Sequence, residues 1–366
     1  MSDLSYERLA DALDALPNGF PRMPSRIDIR ILKKSFSTDE AELASHMSRR
    51  YETAAEIAAR AGTDEASARR LLDSLLPTAL VKKRRTDRVA KFRLGPFLVG
   101  WYEAHISRHP DDKEFSELFE EYIREGGGER ILSPRPGLLG VVPVRGSVKP
   151  ELLQPHEDID DHFNRHERFA VTDCVCRLER QSVGSSCDMP INRCSFVGMP
   201  PETPLSDHVL DQEQARKLFE DLEDEGHVHL GFYGFTSTAE SPQFVGCCNC
   251  CGCCCGILRG TNDLGLQEGP QRSNYRASID LDTCTACGIC SDRCQVNAIT
   301  EGDDCLPVLD VSRCIGCGVC VIGCFTENIE LLPVSPEEWF EVPSSFEEWE
   351  ERRMQNLESS ARGNMG

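Results

Sequence analysis

The sequence predicts an α+β, multidomain chain, and three observations predict it. Short amphipathic helical patterns followed by an alternating strand pattern occupy residues 39–94. No cysteine precedes Cys174, and the 20 cysteines of the chain then fall in tight groups. Near the C-terminus a spaced set of cysteines recurs after thirty residues. The chain accordingly divides into residues 1–125, 126–260, 261–335 and an acidic tail, 336–366.

At 366 residues and 40.8 kDa there is ample material for more than one core. The net charge of −21 is unevenly placed. Residues 1–125 carry 21 Lys/Arg against 22 Asp/Glu, whereas 126–366 carry 19 against 39. The acidic excess therefore belongs to the cysteine-bearing part, where it would steer encounters with basic surfaces in a salt-dependent way. No run approaches eighteen apolar residues, so membrane insertion is not expected. No apolar h-region follows the start, which makes a cytoplasmic location the expectation. Reduced thiols there read as metal ligands.

The first part opens with a short helical stretch near Tyr6–Leu16 and a break at Pro17–Pro24. A helix is predicted over 39–49. The next begins at the Thr53 cap and stops at Gly62. Asp64 caps a third, whose Ala68, Leu71, Leu72, Leu75 and Leu76 share one face until Pro77. Ala90, Phe92 and Leu94 then alternate with Lys91 and Arg93, a half-buried strand following a turn at Thr86–Asp87. Helix, helix–turn–helix and two-stranded hairpin together resemble a winged-helix domain. Residues 49–93 hold 12 Lys/Arg against 6 Asp/Glu, a surface able to face phosphates. Winged helices also dock proteins, so both readings stand. One or two further helices are predicted over 97–125, ending at glycines 126–128.

The middle part passes through a Gly/Pro-rich linker, an apolar stretch at Leu138–Val144 and a polar segment with His156, His162 and His166, read as surface residues. Cys174, Cys176, Cys187 and Cys194 follow, and later Cys247, Cys248, Cys250, Cys251, Cys253, Cys254 and Cys255. Between them a helix over 212–225, with Ala215, Leu218, Phe219 and Leu222 on one side, precedes a short strand at His227–Leu230. Seven cysteines in nine residues cannot all serve one cubane, because adjacent side chains point apart. Two further clusters satisfy the count. So does one larger or non-cubane cluster drawing on both groups, and zinc competes for any thiolate set. His229 is read as structural rather than as a ligand.

The third part carries Cys284, Cys287, Cys290 and Cys294, then Cys314, Cys317, Cys320 and Cys324, each set spaced C-x2-C-x2-C-x3-C. Three closely spaced thiolates wrap one corner of a cubane, and the fourth cysteine serves the other copy's cluster. The expected sets are Cys284, Cys287, Cys290 and Cys324 on one [4Fe–4S] cluster, and Cys314, Cys317, Cys320 and Cys294 on the second. Paired zinc sites or a disulfide scaffold explain the doubled spacing less well. Short strands flanking each copy complete the repeat of a two-cluster, ferredoxin-like domain. The usual proline after the fourth cysteine is Gln295 in one copy and Phe325 in the other. Cys305, in the connecting loop, is read as a non-ligand.

With these residues in view, residues 40–332 resemble iron–sulfur binding proteins of anaerobes that join a winged-helix-like N-terminal domain, a cysteine-rich iron–sulfur domain and a bacterial-type dicluster ferredoxin domain. The resemblance rests on Cys174-Val-Cys176-Arg177, on Gly226-His-Val-His229, and on Cys248-Asn-Cys250-Cys251-Gly-Cys253-Cys254-Cys255. It implies two [4Fe–4S] clusters in the C-terminal module, one or two more upstream, and electron transfer. The implied partner is a redox enzyme subunit or an electron carrier. No nucleotide fingerprint, nucleophile elbow or P-loop is present. The alternative is a redox-sensing transcription regulator that binds DNA through the winged helix. In the tail, Phe346, Trp349 and Arg353 fall at helical spacing, a helix fit to dock on this protein or on another subunit.

Overall fold

The computed structural model describes residues 2–154, 156–197, 208–232, 245–264, 266 and 268–363. Contacts divide the chain into two units. The first comprises residues 1–134, 178–185 and 353–366; the second comprises 135–177 and 186–352. The cysteine-rich and duplicated parts thus pack as a single body, for reasons visible at Arg293 and Gln295 below.

The first unit is mainly helical: α1 (Ser2–Asp14), α2 (Ile27–Ser35), α3 (Thr38–Ser45), β1 (Glu52–Thr53), α4 (Ala54–Ala61), α5 (Glu65–Leu75), β2 (Val81–Thr86), β3 (Val89–Leu94), α6 (Tyr102–Arg108), α7 (Lys113–Tyr122) and α8 (Gly128–Leu132). Local chemistry sets the boundaries. Ser37 with Glu40, and Thr53 with Glu56, close capping boxes that satisfy first-turn amides. Gly62 ends α4 in the left-handed region, and Asp64 accepts the Ser67 amide at 2.9 Å to start α5. β1, β3 and β2 form an antiparallel sheet in that order, with Thr86 opposite Val89 across a two-residue turn. Phe20, Phe97, Trp101 and Tyr122 interlock edge-to-face and stacked in the core. The glycines at 126–128 turn the chain rather than end it, since α8 continues the unit as far as Pro134.

The second unit contains β4 (Leu139–Val142), α9 (Ile159–Arg165), β5 (Phe169–Thr172), the start of α10 (Val175–Ser182), β6 (Cys194–Val197), β7 (Val209–Leu210), α11 (Gln212–Asp224), β8 (Val228–Phe232), β9 (Val245–Cys250) and α12 (Gly256–Asn262). Six strands pair antiparallel in the order β4-β8-β9-β6-β5-β7. Phe163 of α9 and Ala215 and Phe219 of α11 cover one face with Val142, Phe169, Val197 and Cys247. Burying the apolar side of α11 leaves Leu218 at the margin. The histidines expected at the surface are not there: His162 and His166 are buried, carried inward where Ile159 and Phe163 anchor α9.

The duplicated part adds β10 (Tyr275–Ile279), α13 (Ile289–Asp292), β11 (Ile299–Glu301), β12 (Pro307–Leu309), α14 (Val319–Ile322) and β13 (Ile329–Pro333). β10 pairs with β13 and β11 with β12, both antiparallel, so each ribbon joins strands from opposite copies of the repeat. The final helix, α15 (Phe346–Gly363), is docked rather than loose. Trp349 is 3 % exposed, and its indole donates to the Gly137 carbonyl at 3.0 Å. Within the first unit Arg353 is fully buried and donates to the Pro17, Ile131 and Pro134 carbonyls.

Candidate metal centres

Each copy of the repeat presents three cysteines on a loop and sends the fourth across. One cavity is lined by Cys284, Cys287, Cys290 and Cys324, a second by Cys294, Cys314, Cys317 and Cys320. The Ala286 amide donates to Cys284 Sγ at 3.5 Å and the Asn328 amide to Cys324 Sγ at 3.4 Å. At the second cavity the Ala277 amide meets Cys314 Sγ at 3.5 Å, and the Ala298 amide meets Cys294 Sγ at 3.1 Å. Such N–H···S bonds favour thiolate over thiol.

The two cavities differ in environment. Cys287 is exposed, and Leu281, Ile322 and Phe325 lie exposed near the first set in sequence, whereas Cys314 and Cys320 are buried. Burial pushes Cys317 up to about 12 and raises Cys320 as well. The Val144 amide donates to the Cys317 carbonyl at 2.9 Å, placing the second set beside the six-stranded sheet. The first set is the outer one and the second the inner. Cys305 also lines the outer cavity from its exposed turn.

The upstream cysteines separate into two groups. Cys187, Cys251, Cys253 and Cys254 have sulfurs that all lie within 4.8 Å of one another. Adjacent sulfurs stand 3.5 Å (Cys254–Cys187), 3.8 Å (Cys253–Cys254) and 4.0 Å (Cys187–Cys251) apart. Neighbours such as Cys253 and Cys254 converge because they occupy a tight turn at 252–254, not a strand. The other group runs Cys174, Cys176, Cys255, Cys250, Cys248, Cys194, each thiol within hydrogen-bonding reach of the next. Its layout follows the pleat: Cys248 and Cys250 share a face of β9, and Cys194 stands opposite Cys248 on β6. Cys174 and Cys176 come from the entry to α10, and Cys255 from the cap of α12. Hydrogen bonds from Cys194 and Cys250 lower Cys248 to about 5, and those from Cys176 and Cys250 hold Cys255 well below its ordinary value. Cys247 goes to neither group. It faces the opposite side of β9, among Val142, Phe163 and Phe219, where burial raises its pKa.

Three polar residues complete the region. The Arg177 guanidinium is 0 % exposed; it reaches Cys251 Sγ at 3.3 Å and also donates to the Pro190 carbonyl. Hydrogen bonds from the Cys253 and Cys254 thiols, together with Arg177, hold Cys251 far below its ordinary value. His229 is held by Asn249 at 2.7 Å and Glu223 at 3.3 Å, which makes it structural. His227 is the histidine nearer the thiols: it is buried, Cys251 contributes to its electrostatics, and burial lowers it to about 4. The 226–229 segment flags both histidines equally, and only the strand register tells them apart.

The inner set is tied to the turn between Cys251 and Cys253. Gln295, next to Cys294, accepts the Gly252 amide through Oε1 at 2.7 Å and the Asn262 side-chain amide through its carbonyl at 2.8 Å. Arg293 donates to the Glu223, Asp224 and Val319 carbonyls, capping the C-terminus of α11 and holding it against α14. The position usually taken by proline is therefore a side chain that bonds across to the thiol turn.

Residues 277–300 match the family described as "4Fe-4S binding domain", a span that contains Cys284, Cys287, Cys290 and Cys294. No curated protein and no solved structure matches the chain. The match and the grouped cysteines support an iron–sulfur protein with 4Fe-4S binding. No helix among the described residues is long and apolar enough to cross a membrane.

Proposed function

We propose that this chain is an iron–sulfur electron-transfer protein, a subunit or dedicated partner of a larger redox enzyme. Cys284, Cys287, Cys290 and Cys324 hold the outer [4Fe–4S] cluster, and Cys294, Cys314, Cys317 and Cys320 the inner one. The observation that carries this reading is the crossed lining of the two cavities, three cysteines from one copy with the fourth from the other. The half-buried to buried row Cys174, Cys176, Cys194, Cys248, Cys250 and Cys255 holds an upstream cluster, and Cys187, Cys251, Cys253 and Cys254 form a further metal site.

Exposure gives the path a direction in space. The outer cluster exchanges electrons with a partner near Cys287, and the inner one connects through Gln295 and Gly252 to the upstream thiols. Electrostatic support for the charged cluster comes from the backbone amides aimed at its sulfurs. The acidic C-terminal two-thirds favours a partner with a basic docking surface.

A winged-helix regulator that reads DNA draws less support. Arg69 of α5 is paired with Asp73, and Arg84 of the hairpin stacks on Tyr51 at 4.1 Å, so both basic groups have local work. A mobility shift with duplex DNA at moderate salt tests it; binding in one redox state only would favour the regulator. For the leading proposal the test is iron and sulfide content of anaerobically purified protein, with EPR during graded reduction. About eight irons are expected from the ferredoxin-like pair, and more from the upstream row. Fewer than that, or iron without sulfide, overturns the reading.

A further inference from the structure

We infer that Cys187, Cys251, Cys253 and Cys254 bind one metal ion rather than an iron–sulfur cubane, and that zinc fills the site. The inference rests on the metal-binding part of the reading above and not on electron transfer.

Sulfur spacing is the first ground. A tetrahedral ion with metal–sulfur bonds of about 2.3 Å sets its sulfurs about 3.8 Å apart. Three of the six separations, 3.5, 3.8 and 4.0 Å, straddle that edge length, and all six lie within 4.8 Å. A cubane distributes its thiolates over four irons, so those sulfurs must stand further apart, around a core of eight atoms. The same structure supplies a comparison: among the described residues only the Cys187 group has every sulfur within 4.8 Å of the others, and neither ferredoxin-like set does. The six-thiol row is likewise extended, each sulfur meeting its neighbours but not the whole set. One protein thus carries two kinds of thiol arrangement, and the compact one has no room for a cubane core.

Charge is the second ground. Four thiolates around a divalent ion carry a net charge of −2 at a site where three of the four sulfur-bearing residues are buried or half-buried. Arg177, fully buried, supplies a compensating cation directly on Cys251 Sγ. The Cys187 amide donates to Cys254 Sγ at 3.4 Å, a further support for thiolate. Exposed Cys253 leaves the ion a way in.

Softness and geometry then select the metal. Four thiolates in a tetrahedron suit zinc or a single iron, and a given thiolate set binds zinc more tightly than ferrous iron. A redox-silent ion at this turn would clamp residues 251–254, which keeps Gly252 in place against Gln295.

The test replaces Cys187 and, separately, exposed Cys253 with serine in the full chain and measures zinc, iron and sulfide per protein. The expected result is loss of one equivalent of zinc with iron and sulfide unchanged. Loss of about four irons with sulfide overturns the inference, as does unchanged metal content. Should the variants fail to fold, zinc-edge X-ray absorption of the wild-type protein decides. Four sulfurs at about 2.3 Å without metal–metal scattering support it, and absence of stoichiometric zinc sinks it. Wild-type protein that holds zinc but no iron would refute the electron-transfer proposal and leave this inference standing.

Discussion

Gln295 Oε1 accepts the Gly252 amide proton at 2.7 Å, so the residue after Cys294 is bonded to the residue between Cys251 and Cys253. Two cysteine systems that are over forty residues apart in the chain are joined by one side chain. An ideal Cβ on Gly252 would stand 2.3 Å from the Gln295 carbonyl oxygen, so the approach is close enough to require glycine.

Replacing Gln295 with leucine leaves the Gly252 amide without its acceptor, at a cost of about 1–3 kcal/mol. Denaturant unfolding of the anaerobic protein measures it. Iron content should stay at the wild-type level, while electron transfer from the inner cluster to the upstream thiols slows. A variant as stable and as fast as wild type would show that the bond carries neither load.

The crossed cysteine sets predict which cluster each fourth cysteine serves. Cys324→Ser should remove or alter the outer cluster, with up to about four irons lost, and leave the inner cluster's EPR signal intact. Cys294→Ser should do the reverse. Loss of the signal belonging to the same copy in either case would exclude the crossed assignment.

Glycines 288 and 318 occupy matching positions, both at positive φ, but differ in what surrounds them. A Cβ at Gly318 would meet Ser147 Oγ at 2.2 Å, whereas one at Gly288 meets nothing within 4 Å. Gly288→Ala should therefore cost only the left-handed backbone term, about 1–2 kcal/mol. Gly318→Ala should cost clearly more, because Ser147 must move as well. Comparing the two unfolding midpoints checks the difference.

His156 gives a pH dependence whose sign is fixed by its burial. Its folded pKa is lowered to about 4 by burial and, secondarily, by nearby His162. Between that value and the unfolded one near 6.5 the unfolded chain binds the proton that the folded chain refuses. The stabilising difference is present above pH 6.5 and lost as pH falls towards 4, at most about 3 kcal/mol in size. Stability measured against pH should fall less steeply in His156→Gln across that window. Equal slopes would remove His156 as the cause.

Trp349 anchors the start of α15 by burying its ring and donating to Gly137. Trp349→Ala should cost about 3–5 kcal/mol, and Trp349→Phe less, since the ring volume is largely kept. Calorimetry on the two variants distinguishes packing from the indole hydrogen bond. A cost below about 1 kcal/mol for alanine would mean the helix end is not anchored there.

Much of this was legible because the residues state it locally. Thr53 and Gly62 mark the ends of α4, Asp64 starts α5, and alternation from Ala90 to Leu94 gives a strand. The repeat of Cys284–Cys294 in Cys314–Cys324 is readable by spacing alone. The partition of the upstream thiols is not, since it depends on where β9 stops. Cys247, Cys248 and Cys250 follow the pleat, whereas Cys251, Cys253 and Cys254 follow a turn, and only tertiary pairing fixes that boundary. Arg177 could be seen in the C-x-C-R segment, but not that its charge would be buried against Cys251. In the sequence Gln295 shows only as the lack of a proline, because its partner Gly252 is remote. At His162 and His166 polarity points to solvent, whereas Ile159 and Phe163 draw the helix inward, and only the packing decides between them.

The pleat of β9 makes the chemistry of this protein depend on counting. One residue inserted just before Cys247 would turn every later side chain of the strand to the opposite side. A thiol now in the apolar core would face the row of sulfurs, while ligands would face Phe163 and Phe219. Substitutions there remove one ligand at a time, but a single-residue length change would scramble the whole set at once. Residues 245–250 should therefore tolerate changes of letter far better than changes of length.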